Sequence, residues 1–425
     1  MPDEERLSAD DAHILALESG AVLGHTLKLM LLEPGEAIDL DALRRRVEAR
    51  LDSRPRSRER VDTDGGVPRW VPVDVDITAH VRRRAGIECA TEDDLRRTVG
   101  ELMSERLDRT RPLWTLDVIG PLADGREAVA ARLHHAMVDG IAGVRLLEGI
   151  VIDPHDAPPH PVGTAAAEQH DPRGEWLRMP AAVGRELRPG GPSPFDLPIT
   201  SARELAFVAF PLAELKAIGA SRPDHATVND VLLAAVAGGL HAWLGAREGG
   251  RDDDRTLRAQ IPVSLHHRDE DPSHLGNRDS FLDVDLDLRD HDPLHRLDRI
   301  SAETRVGKQS GDAALLYDLF HALGRLGPVG ALAQRAASSS REFSVAISNV
   351  PGPRVPVSVA GKRVTRLYTS SEPGAHHALR VSAISNTDHL GVGFCTDPTA
   401  LPDVAELAAA TDAAYGALRT AALTP

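Results

Sequence analysis

The stretch Leu133-His134-His135-Ala136-Met137-Val138-Asp139-Gly140 sets a histidine and an aspartate four residues apart, after a strand-like run and before a helix-like one. Imidazole titrates near neutrality, so a positioned histidine can take the proton from an attacking hydroxyl and return it to a departing group. Acyl transfer from a thioester to an alcohol needs little more, and it needs no covalent intermediate on the protein. His135 is the residue on which such chemistry would hang. Asp139 suits the N-cap of the following helix, where a carboxylate meets free amides and the favourable end of the dipole. In that place it would also orient the turn that carries His135. Gly140 permits a backbone geometry or a close approach that a side chain would block. The same octet also fits a turn with no chemistry. A metal reading would use His134, His135 and Asp139, but adjacent strand residues point to opposite faces and no third ligand follows at zinc-like spacing, so no metal is expected.

Other residues carry two readings each. Trp114 is a core aromatic or a tunnel lining. Asn229 is a substrate contact or the cap of the apolar helix over residues 231–244. Ser348-Asn349, before Pro351-Gly352-Pro353, reads locally as a rigid turn. The pairs His266-His267 and His376-His377 follow or precede turn-forming residues and are expected to be solvent-exposed.

The elements that must position these residues alternate in type. A helix is expected over 8–18, a strand over 25–32, helices over 39–50 and 93–107, and strands over 114–119 and 128–133, the last leading into the histidines. Residues 152–200 hold ten prolines and no sustained apolar period, and form a linker or crossover. Beyond it come a strand over 204–210, a helix over 212–218 and the alternating strand 281–288, with Asp283, Asp285 and Asp287 on its wet face. Strands over 344–347, 379–384 and 390–394 and a helix over 404–418 complete the chain. The mixed order implies an α/β fold with an N-terminal lobe (1–151), the linker (152–200) and a C-terminal lobe (201–425).

The octet resembles the HHxxxDG motif of the bacterial wax ester synthase/diacylglycerol acyltransferase family. Further stretches agree in order: Leu7-Ser8 with Asp11, Leu15 and Glu18; Arg111-Pro112-Leu113-Trp114; Val228-Asn229-Asp230-Val231; Ile261-Pro262-Val263-Ser264; and Ser348-Asn349-Val350-Pro351-Gly352-Pro353. Ile14 stands where that family usually has an aromatic, and Asp279 stands where an aliphatic residue is usual after Gly276-Asn277-Arg278. The resemblance implies two chloramphenicol-acetyltransferase-like lobes joined by a long crossover, with the active site in a tunnel between them. It implies His135 as general base, with His134, Asp139 and Gly140 completing the motif, and it places Asn229, Asp230, Trp114, Ser348 and Asn349 around the substrates. The oxyanion would be held by backbone amides and by polar groups of the Asn229 and Ser348-Asn349 elements. The implied reaction moves a fatty acyl group from acyl-CoA, as co-substrate, to a long-chain alcohol or diacylglycerol, with no bound cofactor. Two other readings stay open: an acyltransferase of specialised metabolism with a carrier-protein or CoA thioester and a more polar acceptor, and a non-catalytic acyl-CoA- or lipid-binding homologue.

Composition sets the surroundings. The chain has 425 residues and a formal net charge of -15, from 64 acidic and 49 basic residues, which disfavours nucleic acid as a partner. Only Cys89 and Cys395 occur, which fits a reducing cytosol. No uncharged apolar stretch is long enough to span a bilayer and the start reads as no signal peptide, so the expected location is cytoplasmic, with peripheral engagement of a membrane or lipid droplet where the lipid substrates reside. Arg44-Arg45-Arg46 and Arg82-Arg83-Arg84 are basic clusters that could meet phosphate or serve as ordinary solvated charges. With aromatics at 3%, an acyl tunnel would be lined mainly by Leu, Val, Ile and Ala.

Overall fold

A computed structural model of the chain describes residues 5–85, 91–154, 192–249, 255–264, 279–310 and 343–424. Cys89, His266, His267, Gly276, Asn277, Arg278 and most of the Pro-rich stretch lie outside the described residues. The first half runs β1 (Glu5–Arg6), α1 (Ala9–Ala16), β2 (His25–Leu32), α2 (Leu40–Glu48), β3 (Glu59–Asp62), β4 (Arg69–Pro72), α3 (Ile77–His80), β5 (Val81–Arg83), α4 (Glu92–Ser104), β6 (Trp114–Ile119), β7 (Ala128–His134) and α5 (Gly140–Ile150). The second half runs β8 (Glu204–Pro211), α6 (Leu212–Ala220), α7 (Val228–Arg247), β9 (Thr256–Ser264), β10 (Asp279–Asp287), α8 (Pro293–Ser310), β11 (Val345–Val350), β12 (Ser358–Val359), β13 (Lys362–Ser371), β14 (Leu379–Ser385), β15 (His389–Thr396) and α9 (Val404–Leu423).

Local chemistry explains where these elements begin. Ser8 Oγ accepts from the Asp11 amide at 3.0 Å and starts α1. Reciprocal capping boxes, Thr91 with Asp94 and Thr227 with Asp230, start α4 and α7. Strands β2 and β7 are buried along their whole length, as central strands covered on both faces must be, and accordingly carry long apolar runs.

Two six-stranded mixed sheets form the lobes, in the orders β12-β13-β2-β7-β6-β5 and β10-β9-β11-β14-β15-β8. One large core packs α6, α7, α8 and α9 against the second sheet. The first sheet has a core on each face, one under α2 and α5 and the other under α4. The lobes are not consecutive halves of the chain, because β12 and β13, from residues 358–371, complete the first sheet through antiparallel pairing of β13 with β2. Strand β13 also lies close over β15, where Gly391 and Gly393 leave room for the backbone oxygens of Leu367 and Thr369. A Cβ at either glycine would collide with backbone, so the sheets meet here only because these positions are bare.

Four local expectations are corrected. Asn229 does not cap the apolar helix; Thr227 does, and Asn229 lies inside the first turn. Ser348 and Asn349 belong to strand β11 rather than to the turn after it. Asp287 is buried rather than wet, because Arg289 Nε donates to it at 2.8 Å and Arg299 Nη1 at 2.6 Å. His377 is buried and stacks on Phe343 with ring centroids 4.0 Å apart, whereas His376 is exposed as expected.

Candidate active site

The end of β7 is fixed by backbone hydrogen bonds on both sides. The His134 amide donates to Leu113 O at 3.0 Å and the His135 amide to Gly24 O at 2.7 Å, after which the Met137 amide turns back onto His134 O at 2.9 Å. Asp139 then starts α5: its carboxylate accepts from the Ala142 amide at 2.7 Å and is 3% exposed. From Glu127 to Asp139, His135 is the one residue that is not fully buried. The strand thus closes its neighbours and leaves partial exposure at one histidine.

Strand alternation sends the two histidines to opposite faces. His134 faces α4. The Ala136 amide donates to its Nδ1 at 3.0 Å, so the ring proton sits on Nε2, which lies 2.8 Å from Glu18 Oε1. Glu18 in turn pairs with Arg106 and, at 2.7 Å, with Arg109. Gly24, at φ +77°, passes so close to His134 Nε2 that a Cβ would clash. Burial lowers the His134 pKa to about 4, with Arg109 and Arg106 adding to the effect against the raising influence of Glu372. His135 faces α5. Burial, followed by the positive charges of Arg380 and Lys28 and then His134, lowers its pKa to about 3, so the ring is neutral and able to accept a proton throughout the physiological range.

The second lobe reaches this turn at Gly140. A Cβ there would lie 2.7 Å from Val350 Cγ2, at the end of β11. One residue earlier, Asn349 Nδ2 lies 3.4 Å from Asn229 Oδ1 and could donate to it, linking β11 to the first turn of α7. Ser348 is buried beside them in β11. Thus the His135-Asp139-Gly140 turn, the Asn229-Asn349 pair and Ser348 gather along one seam between the lobes. Two expected substrate residues do not join them. Trp114 is fully buried in the core, with Nε1 donating to Ser57 O at 2.9 Å and its ring against His80. The Asp230 carboxylate is occupied by the Thr227 amide at 2.8 Å and by Thr304 Oγ1 at 2.7 Å. Both side chains hold structure, and their hydrogen-bonding groups are satisfied inside the protein.

Several residues essential to this geometry were not singled out from sequence. Glu372, immediately after β13, accepts from the Leu23 amide at 2.9 Å, the His25 amide at 3.0 Å and Arg203 Nη2 at 3.0 Å, in a site where the Arg203 side chain is wholly buried. It clamps the turn around Gly24, whose carbonyl holds His135. Lys28 is buried on β2, its Nζ donating to Thr369 Oγ1 at 2.9 Å and Thr26 Oγ1 at 3.3 Å. Arg380, on β14, brings a second cation to bear on His135. A carboxylate and cations scattered across the chain carry no local spacing by which to find them.

Comparison with known proteins identifies the family and the fold. A family profile described as the wax ester synthase/diacylglycerol acyltransferase catalytic domain matches residues 7–190, and the WS/DGAT C-terminal domain matches residues 275–419. A protein of Mycobacterium tuberculosis named as a diacylglycerol O-acyltransferase is 31% identical over 373 residues, covering 81% of this chain and 80% of its own. This chain belongs to the wax ester synthase/diacylglycerol acyltransferase family. It is an acyltransferase. Another Mycobacterium tuberculosis relative with that name is 29% identical across 98% of this chain and 96% of its own. Among solved structures, a wax ester synthase/diacylglycerol acyltransferase from Marinobacter aquaeolei VT8 superposes with a TM-score of 0.71 at 22% identity, covering 98% of this chain and 99% of that one. The first condensation domain of the CDA synthetase superposes with a TM-score of 0.62 at 17% identity, covering 100% and 97%. The α/β fold of two chloramphenicol-acetyltransferase-like lobes follows from these likenesses.

In this WS/DGAT protein five of the six arginines in the two basic clusters are tied into ion pairs. Arg44 pairs with Asp41 and Arg46 with Asp153, while Arg82, Arg83 and Arg84 pair with Asp117, Glu127 and Glu105. Among the described residues, one helix, Val228–Arg247, is long and apolar enough to cross a membrane, and most of it is buried as the core helix α7.

Proposed function

We propose that His135 is the general base in acyl transfer from acyl-CoA to the hydroxyl of a long-chain alcohol or a diacylglycerol. The observation that carries this reading is a neutral imidazole on the one partly exposed residue at the end of a closed strand, at the seam where the lobes meet. The acceptor hydroxyl gives its proton to His135 as its oxygen adds to the thioester carbonyl. The tetrahedral intermediate then collapses, the C–S bond breaks, and the imidazolium returns the proton to the departing thiolate. Arg380 and Lys28 oppose an isolated imidazolium, so proton transfer is favourable only together with formation of the oxyanion, whose negative charge those cations attract. His134 and Asp139 position rather than react: one braces the turn through Glu18 and the other anchors α5. Asn229, Ser348 and Asn349 supply polar contacts from the second lobe.

The acceptor class follows the names of the mycobacterial relatives and of the family. Such lipids are met at a membrane or droplet surface, so the enzyme engages that surface peripherally. Purified protein incubated with a fatty acyl-CoA and a panel of long-chain alcohols, diacylglycerol and amines tests the reading. Thiol release with the alcohols or diacylglycerol is expected, and no release with any acceptor would refute it.

A further inference from the structure

We infer that Lys28 supplies a buried, charged hydrogen-bond donor to the oxyanion that forms beside His135. This rests on the acyl-transfer reading above and adds a residue to it. Lys28 is 2% exposed, and an ammonium costs too much to bury without a task or a full set of partners. An ammonium has three donors. Two are used: Thr26 Oγ1, which itself donates to Ser370 O at 2.8 Å, and Thr369 Oγ1, which donates to Leu27 O at 3.0 Å, each offer Nζ a lone pair. Among the described residues the third has no acceptor.

Strand register shows where that third donor lies. Lys28 pairs with Ala131 and Thr26 with Leu133, so position 24 comes opposite His135 on the same face. Because Nζ reaches back to Thr26, the side chain leans along β2 toward the strand end beside which His135 stands. The electrostatics agree: Lys28 acts on His135, and the Asp139 carboxylate at the start of α5 acts on Lys28. Arg380 on β14 is the other cation that bears on His135. Lys28 gives up no proton in this role. As the acceptor oxygen adds, the carbonyl electron pair moves to oxygen, Nζ–H donates to it, and the bond relaxes when the C–S bond breaks.

Burial pushes the Lys28 pKa down to about 8 against the raising influence of Asp139, so the donor's charge is present at neutral pH and is lost above it. The test compares wild type, Lys28→Met, Thr369→Val and His135→Ala in an acyl-CoA and long-chain alcohol assay from pH 6 to 10 (about the range the enzyme must be scanned over). Wild type should lose kcat above about pH 8. Lys28→Met should lower kcat roughly a hundredfold, leave KM for acyl-CoA within a few-fold and abolish the alkaline limb. Thr369→Val, which removes one acceptor of the ammonium and keeps its charge, should move that limb to lower pH, and it serves alone if the methionine variant does not fold. A Lys28→Met enzyme with wild-type kcat and pH profile, beside an inactive His135→Ala, or an unmoved limb in Thr369→Val, overturns Lys28 and spares the base. A wild type silent with every acceptor overturns both.

Discussion

At the scale of single residues, the proposed mechanism turns on the state of His135. With its pKa lowered to about 3 by burial, the ring is neutral at and well below neutral pH, as the proposed base must be. The acid limb of kcat/KM should therefore be missing around pH 6.5, the ordinary imidazole value, and the rate should hold down to about pH 5. A half-maximal rate near pH 6.5 would assign the limb to a solvated histidine elsewhere. Gly140 makes a sharper steric prediction. Gly140→Ala brings a methyl within 2.7 Å of Val350 Cγ2 and pushes β11, with Asn349, away from the turn. Turnover should drop by about tenfold or more, and adding Val350→Ala should restore part of it, a coupling visible in a double-mutant cycle. His134, His135, Asp139 and Gly140 were legible in sequence because they share one octet. Trp114 and Asp230 sit in motifs beside the site yet point into the structure, and residue type alone could not separate those roles.

Among the elements, β13 does most to join the two lobes. It leaves the C-terminal half, completes the first sheet and is followed at once by Glu372, which gathers Leu23, His25 and Arg203 into one buried cluster. Glu372→Gln leaves Arg203 buried without its counter-charge, so the protein should lose about 3 kcal/mol of unfolding free energy. Turnover should fall with it, because the Gly24 turn holds the His135 backbone; denaturant titration and kcat measured on the same sample check both. Most strands and helices could be read from period and caps, since β2 and β6 fall where the apolar runs lie. Strand β13 could not. Its sequence, Lys362-Arg363-Val364-Thr365-Arg366-Leu367-Tyr368-Thr369-Ser370-Ser371, is rich in hydroxyls whose partners on β2 are about 340 residues away, as with the 344-residue separation of Thr26 from Ser370. Hydroxyl-rich runs read as loops until a distant strand is there to bond them.

For the whole molecule, burial of neutral histidines couples folding to pH. His80, His134 and His135 have pKa values of about 4, 4 and 3, and His25 lies well below the ordinary value, each chiefly through burial. Each is protonated in the unfolded chain below about pH 6.5 while it stays neutral in the fold. Stability is thus complete above that pH and declines as pH falls toward 4, by about 1.4 kcal/mol per pH unit for each such histidine. Urea midpoints measured between pH 7 and 4.5 should fall steeply (a window set by these histidines, about 6.5 downward), and a flat series would contradict their burial. The order of elements and the run of motifs were enough to expect two lobes, but not that the second half lends strands to the first sheet, since pairing across hundreds of residues leaves no periodic trace. The most direct test of the account is the rate of CoA release per folded molecule for His135→Ala against wild type, with a fatty acyl-CoA and a long-chain alcohol at neutral pH. A loss of about a hundredfold or more at unchanged thermal stability is predicted; a variant that folds as well and turns over nearly as fast would contradict the account.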